Sequence, residues 1–240
     1  MDLKEEDILG DKIHDHWYYV SKGKAMREFL DNITVDEVLD VGAGSGIFSR
    51  QLLDHNVAQS AVCVDPNYAV ETEEDQKGKP IKFVKSIDKT TQNLVLMMDV
   101  LEHVPDDVAL LKEYADTMEK GGKVLITVPA FQFMWSGHDV FLEHYRRYTI
   151  DMMENTIKGA GLSPVKSRYF FGSLFPAVAA IRLTKKALVE KGTLDAKSEL
   201  KLYPDWLNSA LIGVHNIERK TLFKFNKLCG LSVFCLCEKK

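Results

Sequence analysis

A chain of 240 residues, 45% apolar and 28% charged, is long enough for one large domain with a sizeable core and too apolar to be wholly disordered. Its 31 basic and 35 acidic residues give a net charge of −4, without the basic excess of a protein that neutralises phosphate backbones, so no nucleic-acid partner is expected. Four cysteines (Cys63, Cys229, Cys235, Cys237) are few and unevenly spaced for a disulfide framework, Met1 to Gly10 is unlike a signal peptide, and no apolar run is of bilayer length; a cytoplasmic protein with reduced thiols is expected.

Apolar spacing predicts one helix or two short ones over Ile13 to Ile33, then a strand over Glu37 to Val41. Gly42-Ala43-Gly44-Ser45-Gly46 follows it and leads into a helix over Ile47 to His55. Ser60 to Val64 reads as a second strand ending on Asp65-Pro66, and the polar Glu71 to Pro80 as a solvated loop or frayed helix end. Ile81 to Val84 and Asn93 to Met98 are further strands. Asp106 suits the N-cap of a helix running to Glu119, and Lys123 to Val128 is a fifth strand stopped by Pro129. Beyond it, the sequence predicts a helix over Asp151 to Ala160 and a strand over Ser163 to Phe171. Helical material follows from Gly172 to Leu228, split near Gly192 to Pro204, and the last strand is Leu231 to Glu238. Strands alternating with helices argue for an α/β fold with a mainly parallel sheet.

A glycine turn between a parallel strand and a helix lets a ligand approach bare backbone and free helix amides. Nineteen residues past Gly46, Asp65 ends the second strand, where a carboxylate can accept both hydroxyls of a ribose. Together they point to a nucleoside ligand. The dinucleotide spacing G-x-G-x-x-G/A fails in both registers, because Ile47 or Ser49 falls at its last position.

Asp40-Val-Gly42-Ala-Gly44-Ser-Gly46 resembles motif I of class I S-adenosylmethionine-dependent methyltransferases. Val62-Cys-Val-Asp65, Asp99-Val-Leu-Glu-His103-Val and Gly121-Gly-Lys-Val-Leu-Ile-Thr-Val-Pro129 resemble the family's later motifs, in its small-molecule branch. The likeness is specific over about the first 130 residues. Pro129 to Asp139, His144 to Thr149 and His16-Trp17-Tyr18 resemble a bacterial subgroup linked to quinone, polyprenyl or polysaccharide pathways. The resemblance implies an α/β, Rossmann-like fold: a central, mostly parallel seven-stranded sheet, helices on both faces and a helical insertion before the last strand. It implies S-adenosyl-L-methionine as cofactor, cradled by Gly42, Ala43, Gly44 and Gly46. Asp40 would face its amino group, Asp65 and Pro66 its ribose, Ser86 and Ile87 its adenine, and Asp99 and Val100 its methionine side.

The chain then divides into an N-terminal helical segment (1–35), a cofactor core (36–171), a helical cap or insertion (172–228) and a last core strand (229–240). Methyl transfer to a hydroxyl needs alignment, exclusion of water and removal of a proton. Candidate bases are His103, His138 and His144, with Asp139 as orienter or alternative. The His138-Asp139-x4-His144 spacing matches no recognised ligand pattern, so no metal is expected. Trp17, Tyr18, Phe131, Trp135 and Tyr148 are candidates for the acceptor wall, while Arg146 and Arg147 suit an anionic group or ordinary salt bridges. Leu207, Leu211, Val214, Ile217, Leu222 and Phe225 form an apolar helix face expected to cap the acceptor pocket, with a dimer or a membrane surface as alternatives. The expected activity is methyl transfer to a small-molecule or lipid-linked acceptor at oxygen. The alternatives are a non-catalytic nucleoside-binding partner protein and a nicotinamide-dependent oxidoreductase.

Overall fold

The computed structural model describes residues 8–188 and 196–240. The start of the acidic N-terminal stretch and part of the expected helical break, residues 1–7 and 189–195, lie outside the described residues. In chain order the elements are α1 (Trp17–Leu30), β1 (Val35–Val41), α2 (Ile47–Asp54), β2 (Ala58–Val64), β3 (Thr72–Asp75), β4 (Pro80–Val84), β5 (Leu94–Met98) and α3 (Asp107–Thr117). There follow β6 (Lys123–Pro129), α4 (Gly137–Phe141), α5 (Ile150–Gly159), β7 (Ser163–Phe170), α6 (Phe175–Leu188), α7 (Asp205–Thr221) and β8 (Ser232–Glu238).

All five side chains of β5 are buried, as befits a strand covered on both faces. Alternation along β1 sends Val38 into the core formed with α1 and α2, and Leu39 into the core formed with α3 and α5. The strands form one sheet in the order β3-β4-β2-β1-β5-β6-β8-β7. Pairing is parallel from β4 through β6, and β8 enters antiparallel between β6 and β7. The chain leaves β1 for β2 on one side and resumes with β5 on the other. The crevice beyond the carboxyl ends of β1 and β5 is therefore the reversal point at which open α/β sheets bind ligands.

The fold class is the expected one, with an eighth strand added. Residues Thr72–Asp75, expected in a loop, pair antiparallel with β4 through a tight turn at Lys77-Gly78, both of positive φ. All four are exposed and Glu73 lies opposite Lys82 in the register, a charged edge that resists further strand addition. The Ile13 to Ile33 segment breaks at His16, which is extended and caps α1 by accepting the Tyr18 amide.

The apolar face expected on the last long helix is only half right. Leu207 and Leu211 line a cavity, but Val214, Ile217, Leu222 and Phe225 are exposed. The inward stripe continues instead through His215 and Glu218, 1% and 2% exposed. Glu218 accepts the amides of Gly172 (2.7 Å) and Ser173 (3.1 Å) ahead of α6, and the His215 ring stacks on Trp17. The helix thus turns its polar pair inward, where Glu218 satisfies two backbone donors ahead of α6 and pairs with His215 Nδ1 at 3.3 Å. Among the described residues, no helix is long and apolar enough to cross a membrane.

Candidate active site

Gly42 (φ 65°) opens the turn after β1. A Cβ there would meet Val100 Cγ2 at 2.8 Å, so only glycine lets the turn lie against Val100, two residues past β5. The amides of Gly42 and Ala43 both donate to the Val64 carbonyl, at 2.7 and 3.2 Å. Asp65, 2% exposed, accepts the Gly44 amide at 3.3 Å and the Asn67 backbone and side-chain amides at 2.9 and 3.0 Å. Tyr68 Oη donates to the Gly44 carbonyl at 2.6 Å. Glycine turn and carboxylate, 21 residues apart, thus meet at one sheet edge. Gly46 is the N-cap of α2; Pro66 and Ser86 are exposed and Ile87 half-buried at the ends of β2 and β4. Asp40, 1% exposed, accepts from Ser49 Oγ at 2.8 Å and so ties the end of β1 to α2.

Asp99 (φ 57°), Phe131 (φ 60°) and Phe171 (φ 60°) follow the ends of β5, β6 and β7. Each holds a left-handed backbone at a cost of about 1 kcal/mol, and such strain on one edge points to a functional rim. Asp99 Oδ2 accepts from Tyr18 Oη (3.1 Å) and from Lys22 Nζ, while Thr127 Oγ1 donates to Oδ1 at 3.1 Å. Lys22 is wholly buried and also donates to Tyr18 Oη at 2.9 Å. Beside them opens a cavity of about 450 Å³. Asp99, Glu102, His103, His144 and Arg147 form its polar side, and Trp17, Val178, Ile181, Leu207 and Leu211 its apolar side.

Four catalytic candidates and an arginine converge here. Asp139, fully buried, accepts from Arg147 Nε (2.6 Å) and Nη2 (2.9 Å), from the Ser136 amide (2.8 Å), and pairs with His144 Nδ1 at 2.9 Å. Burial alone would raise its pKa; the His144 and Arg147 hydrogen bonds overcome it and hold the carboxyl well below the usual range. His144 Nε2 is thereby left for the cavity, and the His103 ring meets the His144 ring edge-on, 4.5 Å between centroids. Glu102 is 1% exposed, and burial, then the Asp99 charge, push its pKa well above the ordinary carboxylate value. One ligand atom each from Glu102, His103 and His144 lie within 4.8 Å of one another. His138 lines the cavity, but its Nδ1 accepts the Glu199 amide at 3.1 Å and so pins the 196–203 segment.

Four of the expected acceptor residues lie elsewhere. Phe131 stacks on Tyr169, and Trp135 is outside the cavity lining. Arg146 pairs with Asp107 at 3.2 Å and bonds the Pro105 carbonyl; Tyr148, 1% exposed, donates to Asp107 at 2.7 Å. Arg147 reaches the cavity, although Asp139 already holds its guanidinium.

A family model described as a methyltransferase domain matches residues 15–167. The chain belongs to this family of methyltransferases. It is 29% identical over 99 residues to the ubiquinone biosynthesis O-methyltransferase of Coxiella burnetii, a match covering 38% of this chain and 42% of that protein. Its fold is similar to that of a SAM-dependent methyltransferase from Archaeoglobus fulgidus (TM-score 0.54, 17% identity, 99% of this chain and 98% of that one). It is also similar to a phosphoethanolamine N-methyltransferase of Haemonchus contortus in complex with S-adenosyl-L-methionine (TM-score 0.53, 16% identity, 91% and 52%). S-adenosylmethionine is thus the cofactor, and the nicotinamide alternative falls. The chain's match spans less than half the length of the curated relative, so its acceptor is a separate question.

Several residues of the candidate site take their place there from the fold and not from a motif alone. Lys22 is the one wholly buried charge of a helix whose other charges, Lys24, Arg27 and Glu28, are half-buried. Glu102, though inside the Asp99-Val-Leu-Glu-His103-Val motif, meets His144 only because the fold brings it from 42 positions on. Arg182 donates to the Met134 carbonyl at 2.7 Å and pairs with Glu199, linking α6 to the cavity rim. Burial lowers the His138 pKa to about 4. The unfolded chain then binds a proton that the folded methyltransferase refuses between about pH 6.5 and 4. Stability is expected to fall as pH drops through that window, and His138→Gln to flatten the dependence in urea melts. An unchanged slope in the variant would exclude His138 as the titrating group.

Proposed function

We propose that the protein moves the methyl group of S-adenosylmethionine to an oxygen of an amphiphilic, lipid-linked small molecule. The observation that carries this is the mixed lining of the cavity of about 450 Å³: Asp99, Glu102, His103 and His144 share it with the apolar side chains Val178, Ile181, Leu207 and Leu211 of α6 and α7. The Coxiella relative's name, an O-methyltransferase of a quinone, adds weak support for oxygen.

Gly42, Ala43, Gly44 and Gly46 are assigned to the cofactor's backbone contacts, Asp65 to its ribose and Ser86 and Ile87 to its adenine edge. Pro66 borders the ribose, Val100 closes the methionine side beside Asp99, and Asp40 acts as a positioning residue. The cofactor supplies a carbon already activated by a sulfonium, so the protein's task is orientation and proton removal. Trp17 and Tyr18 shield the junction of the two sites from water, and Asp99 is held in place by Lys22 and Thr127. The acceptor oxygen gives its proton to the solvent-connected polar end, where Asp139 orients His144, and forms the new bond to carbon while the carbon–sulfur electron pair returns to sulfur. Exposed Trp206, Ile217, Leu222, Phe225 and Leu228, interleaved with Lys220, Lys224 and Lys227, support delivery of the acceptor from an anionic lipid surface.

The test compares a long-chain hydroxylated amphiphile with its chain-truncated analogue. Leu211→Trp, which fills the apolar side, is expected to raise KM for the long acceptor at least about tenfold, some 1.4 kcal/mol, and to leave the truncated one unaffected. Equal effects on both would count against the hydrocarbon-chain assignment.

A further inference from the structure

We propose that Glu102, His103 and His144 form a binding site for one divalent transition-metal ion, with zinc the best-suited, at the polar end of the acceptor cavity. The spacing expectation of no metal was built on His138, Asp139 and His144, and the fold replaces that set. His138 Nδ1 is taken by the Glu199 amide and Asp139 by Arg147. The adjacent pair Glu102-His103, on the short turn after β5, takes their place beside His144.

Three independent features support the site. The first is the donor set: two imidazoles and a carboxylate with ligand atoms within 4.8 Å of one another. This is the composition of open catalytic sites that leave positions for a substrate oxygen. At metal–ligand distances near 2.1 Å, tetrahedral donors stand about 3.4 Å apart, so rotamer adjustments of about 1 Å close the set. The second is Glu102 itself. Its Oε2 is buried and has no hydrogen-bond partner among the described residues, an arrangement that calls for an ion or water. The third is the shell behind the donors. The Asp139 carboxylate holds His144 Nδ1 at 2.9 Å, directing Nε2 outward in the carboxylate–histidine–metal arrangement that fixes tautomer and raises ligand basicity. The nearby cations do not oppose the ion unpaired: Lys22 is neutralised by Asp99, and Arg147 by Asp139.

This inference rests on the methyl-transfer reading only for its use. A bound ion would act as a Lewis acid on the acceptor hydroxyl, favouring loss of its proton to water before the oxygen attacks. The binding claim stands apart from turnover. Full-length protein stripped with chelator and titrated with ZnCl₂ is expected to take up one equivalent with a Kd of about 1 μM or tighter. CoCl₂ should give visible d–d absorption of a nitrogen- and oxygen-ligated ion. Glu102→Gln and His103→Gln are each expected to weaken zinc uptake about 10- to 100-fold. Glu102→Gln keeps the shape of this buried side chain and so retains the fold. Absence of stoichiometric uptake, or uptake that ignores both substitutions, overturns the site. S-adenosylhomocysteine titrated into the same samples separates the two ideas: its binding without zinc uptake removes only the metal, and zinc uptake without it removes the cofactor reading.

Discussion

Gly44→Arg is expected to yield a folded protein whose affinity for S-adenosylhomocysteine is reduced at least about 100-fold, or about 2.7 kcal/mol. Gly44 holds φ 53° within the turn, and a side chain in that region costs about 1–2 kcal/mol of stability, which a domain of this size tolerates. The arginine side chain would then occupy the space that the glycines leave for ligand. Asp65→Ala is expected to weaken binding by a similar factor through a different route. It deletes an acceptor whose charge-assisted hydrogen bonds to ribose hydroxyls are worth about 1.5–3 kcal/mol each, and it releases the Gly44 amide that the carboxylate holds. Asn67→Ala, which removes only an outer donor to Asp65, is the control and should change affinity little. Calorimetry on the three variants decides the matter: wild-type affinity in both Gly44→Arg and Asp65→Ala would put the cofactor somewhere other than this turn.

The second large effect falls on stability. Asp139→Ala strands a buried guanidinium, since Arg147 is 3% exposed and Asp139 accepts both its Nε and Nη2. Breaking such a pair costs about 3–5 kcal/mol, and at about 2–4 °C per kcal/mol the melting temperature should drop by roughly 10 °C. Arg146→Ala, one position away, removes a partly exposed pair with Asp107 and should cost no more than about 1 kcal/mol. The sign with pH follows from the direction of the shift. Because the folded pKa of Asp139 is depressed, its contribution is complete above the unfolded value of about 3.9 and is lost only as pH falls through the folded one. The gap between wild type and Asp139→Ala should therefore hold from neutral pH to about pH 4 and narrow below it. Equal melting temperatures for Asp139→Ala and Arg146→Ala would show that Arg147 finds another partner.

These two sites also mark where sequence reading succeeds and where it stops. The glycine turn and Asp65 were legible because both are local: a strand end, a backbone that only glycine adopts, and a carboxylate at the end of the next strand. The strand β5 was legible because full burial requires an unbroken apolar run. By contrast β3 is four exposed polar residues, and only the Lys77-Gly78 turn hints at a hairpin. Arg146 and Arg147 are alike in sequence, yet one is fastened to Asp107 at the surface and the other to Asp139 in the interior. Nothing in their spacing distinguishes them. Likewise α7 offers an apolar stripe on paper, whereas the folded helix buries His215 and Glu218 because Gly172, Ser173 and Trp17 await them. Glu218 and His215, whose partners Gly172 and Trp17 lie 40 or more positions away, take their meaning from topology, and topology is not written in any short window.

The position of β8 has a consequence for how the molecule is made. It is the last strand in the sequence but lies between β6 and β7, bonded to both along its length. Leu231 and Ser232, at its start, line the cavity beside Asp99. During synthesis on the ribosome, β1, β2, β4, β5 and β6 can pair as they emerge, and the crevice between β1 and β5 is complete long before residue 231 is translated. Until β8 follows, β7 has no neighbour and β6 presents an open edge. A nascent chain can therefore carry a paired β4-β2-β1-β5-β6 sheet while the β6 edge stays open until β8 is made.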